Sequence, residues 1–167
     1  MKWVTRAHVH VDRTACPWLI KRFIDPKAEF LFLPLDEIPV AVKHKAIPYD
    51  CPEVELGHHG EECSFDAIVK KYKVTDPAVL ELAKIVRAAD TDSYDLAPEA
   101  AGLEAIMSGI AYGSKNDQDA VKKAKAVYDA FYIHCKLKAL RIKHSKELEL
   151  MDKAKKRQFL RTKLKGK

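Results

Sequence analysis

The chain has 167 residues, 47% of them hydrophobic, enough to bury one respectable core and therefore expected to form one domain. No uninterrupted run of about 18 apolar residues is present, which excludes a helical membrane span. Four cysteines with no CxxC spacing exclude a zinc ribbon and a CxxC redox site. The net charge of +6 is uneven: residues 136–167 carry 13 Lys and Arg against 3 Asp and Glu, leaving 17 basic and 21 acidic residues in the remainder.

Met1 to Arg6 lacks the apolar region of a secretory signal, so a cytoplasmic location is expected, with the cysteines as free thiols. From Trp3 to Val11 a loose alternation predicts a strand, placing His8, His10 and Asp12 on one side and Val9 and Val11 on the other. Pro17 suits the first turn of a helix, where its missing N–H costs nothing. Leu19, Ile20, Phe23 and Ile24 form that helix's apolar face, and Asp25-Pro26 ends it. Glu29 to Leu33, closed by Pro34, reads as a buried strand. A further extended piece is expected through Val54 and Leu56.

From Ser64 onward the period becomes helical. Ser64 is the expected N-cap of a helix carrying Phe65, Ile68, Val69 and Tyr72 on one side. Asp76-Pro77 signals the next helix, with Val79, Leu82, Ala83, Val86 and Ala89 facing inward. Pro98-Glu99 opens a third helix, with Leu103, Ile106, Met107 and Ile110 spaced three and four apart. Asp117 is expected to cap a fourth, bearing Ala120, Val121, Ala124, Val127, Tyr128 and Phe131. Trp18, Phe23, Phe65, Tyr128 and Phe131 are expected in the core. The predicted class is α+β, a small N-terminal sheet on a mainly helical cluster. Residues 1–135 form the body; 136–167 form a basic tail, either helical or disordered, with a thin stripe of Leu137, Leu140, Leu148 and Met151.

The densest concentration of chemistry lies in Gly57-His58-His59-Gly60-Glu61-Glu62-Cys63-Ser64-Phe65-Asp66. Imidazole and carboxylate together are a common ligand set for divalent metals, and the two glycines free the backbone to bring them round. His58 and His59 are the expected ligands, with Glu55, Asp66, Asp90 and Asp92 as companions. Adjacent histidines in an extended segment point opposite ways, so one of the pair is expected to face inward. Asp90 and Asp92 end a predicted helix, where negative charge opposes the macrodipole and asks for a compensating cation, a metal or an arginine. Mixed N and O donors favour a transition metal such as Zn, Mn, Fe or Ni over Ca, without choosing among them. The competing reading is a polar turn whose imidazoles cap helices or bond backbone carbonyls.

A second cluster is Arg13, Lys21 and Arg22. With the N-terminus of the helix opened by Pro17, these cations could hold an oxyanion such as chromate, sulfate or phosphate. The alternative is that Arg13 pairs with a carboxylate while Lys21 and Arg22 are solvated. Cys16 beside the same helix start would have its thiol pKa lowered and could act as a nucleophile; simple packing is the alternative. His8 and His10 read as exposed strand residues. The tail could bind nucleic acid phosphates by counterion release without sequence preference.

Several of these segments together resemble a known family. Asp12-Arg13-Thr14-Ala15-Cys16-Pro17-Trp18-Leu19-Ile20-Lys21-Arg22-Phe23-Ile24-Asp25 looks like its N-terminal signature, and Val54 to Gly60 with Cys63 to Asp66 looks like its second motif. Ile85 to Asp92 and Ala100 to Leu103 follow at the expected distances. The family is the C-terminal domain of the chromate-resistance protein ChrB, and the resemblance spans Lys2 to Cys135. Lys21 stands where Arg is expected, His8 and His10 lie outside the signature, and the tail lies beyond it. The resemblance implies a prokaryotic stress-response protein connected with chromate resistance, similar to chromate-responsive regulators. Two functions follow as expectations. One is a metal-dependent protein with an oxyanion clamp at Arg13; as an enzyme it would use a Lewis-acid mechanism with an Asp or Glu base. The other is an oxyanion-sensing module that touches nucleic acid through its tail.

Overall fold

A computed structural model describes residues 1–166. The first strand, β1 (Lys2–Arg6), is central in a three-stranded parallel sheet of order β2-β1-β3, with β2 at Glu29–Leu33 and β3 at Ile47–Pro48. Parallel neighbours need a crossover, and helix α1 (Val11–Phe23) supplies the one from β1 to β2. Alternation along β1 divides the core: Trp3 belongs to the large cluster shared with the helices, while Val4 packs with Ile38, Ala46 and Cys51 on the other face.

The remaining helices are α2 (Ile38–Lys43), α3 (Ser64–Lys71), α4 (Pro77–Asp90), α5 (Ala100–Tyr112), α6 (Asp117–Lys143), α7 (Ser145–Glu149) and α8 (Lys153–Lys165). The arrangement is α+β, as expected. Val79, Leu82, Ala83, Val86 and Ala89 of α4 are all buried, as their spacing requires, and Asp76 caps this helix through the N–H groups of Ala78 and Val79. Trp18, Phe65 and Tyr128 are core residues, with Phe23 and Phe131 packed partly buried against them. Ile106 is an exception to its stripe and is exposed.

Several local expectations are corrected. The first strand stops at Arg6, because His8 adopts a left-handed φ of 63° and His10 sits at the N-cap of α1. The two histidines therefore do not share a strand face. Helix α1 begins at Val11, and Pro17, the start expected from the sequence, lies inside it, about 1.7 turns beyond the true start. Val54 and Leu56 lie in a loop, and the third strand is Ile47–Pro48. The N-caps of α3 and α6 are Cys63 and Asn116, each one residue before the one expected. Asp117 instead accepts the backbone N–H groups of His8 and Val9, both at 3.0 Å, and so ties α6 to the turn before α1. The tail is helical: α8 returns against α6, burying Leu160 beside the partly buried Leu164.

Candidate functional site

Four segments converge at the N-terminus of α1. Asp12, in the first turn of α1, is 1% exposed and accepts the backbone N–H groups of Ser64 at 2.6 Å and Phe65 at 3.0 Å. These are the free donors at the start of α3, so a buried carboxylate is held by the positive end of a helix. Asp90, at the last turn of α4, accepts the backbone N–H of Asp12 at 3.1 Å. The unfavourable placement of Asp90 on its own helix is thus compensated by the N-terminus of another.

The loop between β3 and α3 brings in Asp50 and His58. Asp50 has a φ of 47°, a left-handed conformation that Asp tolerates, and its N–H is tied to the Leu56 carbonyl at 3.0 Å. Gly57 is required sterically: a Cβ there would lie 2.7 Å from the Cys51 carbonyl oxygen. A tight turn then closes through the paired His59 and Glu62 backbones, with Gly60 at a φ of 61°. The His58 Nε2 atom is delivered 3.2 Å from Asp90, 3.4 Å from Asp50 and 3.6 Å from Asp12, measured to one carboxylate oxygen of each.

Two arginines border the cluster. Arg13 pairs through Nε with Asp50 at 3.0 Å and donates through Nη1 to the Ala7 carbonyl at 3.0 Å. Arg6 lies 3.6 Å from the other Asp50 oxygen and also donates to the Asp50 carbonyl at 3.0 Å. Crowding and burial move the titrations. Burial, then the charges of Asp12 and Asp50, push Asp90 up to about 7. Burial, then Asp12, raises Asp50, opposed by Arg13, Arg6 and His58. The contact with Asp12, followed by the charges of Asp12, Asp90 and Asp50, raises His58 to about 9 against the opposing effect of burial. Three acids sharing one small space hold a proton on the imidazole between them.

The donor set fits a metal ion. Ligand atoms of Asp12, Asp50 and His58 all lie within 4.8 Å of one another. Nitrogen and oxygen ligands at about 2.0–2.2 Å from a common ion stand roughly 3–3.5 Å apart around a tetrahedron, close to the separations at His58.

The other expected ligands lie elsewhere. His59 turns its Nε2 to the Glu55 carbonyl at 2.9 Å, and the Glu55 side chain pairs with Lys71 at 2.5 Å. Asp66 accepts the Cys63 N–H at 3.2 Å and lies 3.5 Å from Arg87, beside the cluster rather than in it. Asp92 accepts the Tyr94 hydroxyl at 2.8 Å. Of the three expected oxyanion residues, Arg13 alone borders the cluster. Lys21 lies over the Phe30 ring and Arg22 pairs with Asp129 at 3.0 Å, because positions eight and nine beyond Arg13 sit further along α1. The helix start at Pro17 that was to join them does not exist.

Cys16 is fully buried within α1, and burial followed by Asp12 pushes its thiol well above the usual range, opposite to the expectation. Cys63 is raised likewise. Sequence reasoning missed Asp50 altogether and gave Asp12 no metal role. The density of carboxylates on either side of the Gly57–Asp66 loop was the available signal, but nothing in it singled out position 50.

Similarity to known proteins agrees with the motifs. The family model described as "ChrB, C-terminal domain" matches residues 3–135, a span that contains the whole cluster and ends before α7 and α8. Protein ChrB of Cupriavidus metallidurans (strain CH34) is 33% identical over 134 residues, covering 80% of this chain and 40% of that protein. The chain thus corresponds to less than half the length of this curated relative. No solved structure matches it. With the two motifs, their spacing and the family match in agreement, the chain belongs to the ChrB C-terminal domain family.

Proposed function

We propose that the chain is a cytoplasmic metal-dependent protein of chromate resistance, in which His58, Asp12, Asp50 and Asp90 hold one divalent transition-metal ion beside Arg13. One observation carries this reading: the His58 Nε2 atom faces an oxygen of each of three acids from separate parts of the chain, at 3.2–3.6 Å. A proton held that way is the place-holder a divalent cation displaces. Arg13 stands at the edge of the same cluster, its side chain 18% exposed, and Asp50 and Ala7 fix its orientation. Its remaining guanidinium donors are suited to an oxyanion of the chromate or sulfate class. An ion held there would supply Lewis acidity to a bound oxyanion. The chain's own part is to exclude water around Asp12 and to orient the anion through Arg13. Elemental analysis of protein purified without a histidine tag tests the proposal. About one equivalent of a transition metal, lost in His58→Ala, is expected. Less than roughly a tenth of an equivalent, with none regained on titration, overturns it.

A second reading concerns the basic tail, on the strength of one feature of α8. Lys153, Arg157, Arg161 and Lys165 recur every four residues, are all exposed, and step along the helix by about 6 Å. No carboxylate pairs with any of the four among the described residues. Such a stripe suits the phosphates of nucleic acid, bound without sequence preference. Duplex DNA retardation at low salt, steeply weakened by salt and abolished when the four residues are changed to Glu, is the expected result. Failure of the unaltered chain to bind DNA at low salt ends this reading.

A further inference from the structure

A second recess lies on α1, away from the acid cluster. Positions 17, 18, 21 and 22 project from the side of the helix opposite Asp12 and Cys16, toward the N-terminal half of α6. Between them is a cleft of roughly 570 Å³, within the range of small-molecule sites. Pro17, the edge of Trp18, Phe30 and Val121 make its floor apolar. Gln118 closes one end by donating its side-chain amide to the Phe30 carbonyl at 2.7 Å, which joins α6 to the edge strand β2.

The walls are cationic beyond what the cleft itself neutralises. Four basic residues, Lys21, Arg22, Lys122 and Lys125, face one acid, Asp129. That acid is fully engaged: it accepts the Trp18 indole N–H at 2.9 Å, Arg22 at 3.0 Å and Lys125 at 2.5 Å. Arg22 is further committed to the Tyr132 ring, 4.6 Å from its centroid. Lys21 and Lys122 remain with no carboxylate partner among the described residues, at the rim of an aromatic floor. An apolar base with unneutralised positive charge at its rim complements a ligand with the inverse pattern: a flat hydrophobic body carrying one anionic group.

We propose that this cleft binds a small planar aromatic anion, independently of the acid cluster and of the reading placed on it. The probe is 1-naphthyl phosphate, with uncharged 1-naphthol as its control, added to the full chain and followed by calorimetry and the two indole N–H resonances. Trp18 lines the cleft and Trp3 is sealed in the core with no partner for its indole N–H, so the two signals report different places. The expected result is saturable binding of the phosphate that moves the Trp18 signal alone. Affinity is expected to fall at least about tenfold for 1-naphthol and for the double variant Lys21→Glu/Lys122→Glu. Both lysines are exposed, so the fold should survive the change; Val121→Trp, which fills the floor without adding charge, gives a second route to the same loss. His58→Ala should bind the probe as the unaltered chain does. Equal binding of 1-naphthol, undiminished binding by the double variant, movement of both indole signals, or loss in His58→Ala would each overturn the proposal.

Discussion

The Asp12 carboxylate accepts the backbone N–H of Ser64 at 2.6 Å, so a residue in the first turn of α1 caps α3. The same residue's own N–H is capped by Asp90 at 3.1 Å. Three helix ends therefore meet at one acid, and the cluster around His58 is as much a joint of the fold as a site. Removing Asp12 should act on both. Asp12→Ala loses two hydrogen bonds to a charged acceptor and is expected to cost about 2–4 kcal/mol of stability, read as a lower urea midpoint at constant slope. Asp12→Asn keeps one acceptor oxygen and should cost less. A midpoint unchanged by Asp12→Ala would show that the two contacts contribute nothing.

The two adjacent histidines give a sharp comparison. His58→Ala is expected to weaken metal binding by at least about tenfold, whereas His59→Ala should leave it unchanged. The reason is geometric: His59 faces the Glu55 carbonyl and not the acids. Titration of both variants with Zn²⁺ or Mn²⁺ decides it, and equal losses would place the ion elsewhere.

Metal-free protein should lose stability as pH rises from neutrality toward 9. His58, with a folded pKa of about 9, contributes stability that is complete below the ordinary histidine value and lost as pH climbs toward 9. Asp90, raised to about 7, acts in the same direction: the folded state holds its proton after the unfolded chain has released it, so stability falls from the ordinary carboxylate range up to 7. Across that window these two groups hold more protons in the folded state, and their contribution to the slope of unfolding free energy with pH is negative. A bound divalent ion should reverse the trend, because it takes the place of those protons and binds more tightly as pH rises. Thermal melts at several pH values, with chelator and with metal, measure both slopes.

Gly57 and Gly60 are distinguished by what surrounds them. A Cβ on Gly57 would meet the Cys51 carbonyl at 2.7 Å, and backbone cannot give way cheaply, so Gly57→Ala should cost about 1–3 kcal/mol and weaken metal binding by moving His58. Gly60 has nothing within 4 Å and pays only for its left-handed φ, about 1 kcal/mol for Gly60→Ala. Urea unfolding of the pair should rank them in that order.

All four cysteines are buried. Burial raises the thiols of Cys16 and Cys63, and the neighbouring acids raise them further, so neither is poised as a thiolate. A disulfide reagent such as 5,5′-dithiobis(2-nitrobenzoate) should react with the native protein at least roughly a hundredfold more slowly than with the unfolded chain. One fast-reacting thiol in the native state, lost in Cys16→Ser, would restore a nucleophilic role for that residue.

Much of the helical body was legible in the residue order. Asp76-Pro77 and the run from Val79 to Ala89 carry their own start signal and period, so α4 needs no partner to be recognised. The apolar faces of α3 and α6 follow for the same reason. Signals at the N-terminal end were weaker. Pro17 is tolerated inside α1, where the start at Val11 is anchored by Asp90, and a proline alone carries no word of that distant anchor. His8 leaves the strand through a positive φ, with its N–H held by Asp117 from α6.

By itself the amino-acid order determined the family, the α+β class, the amphipathic helices and the loop that carries His58, because those depend on motif spacing and local period. Only the tertiary structure decided which acids face His58, that Asp50 is one of them, that Asp12 caps α3, and that Lys21 and Arg22 stand apart from Arg13. These outcomes depend on contacts between segments dozens of residues apart. The direction of each side chain there is set by helix ends and one tight loop packing together, which no local pattern encodes.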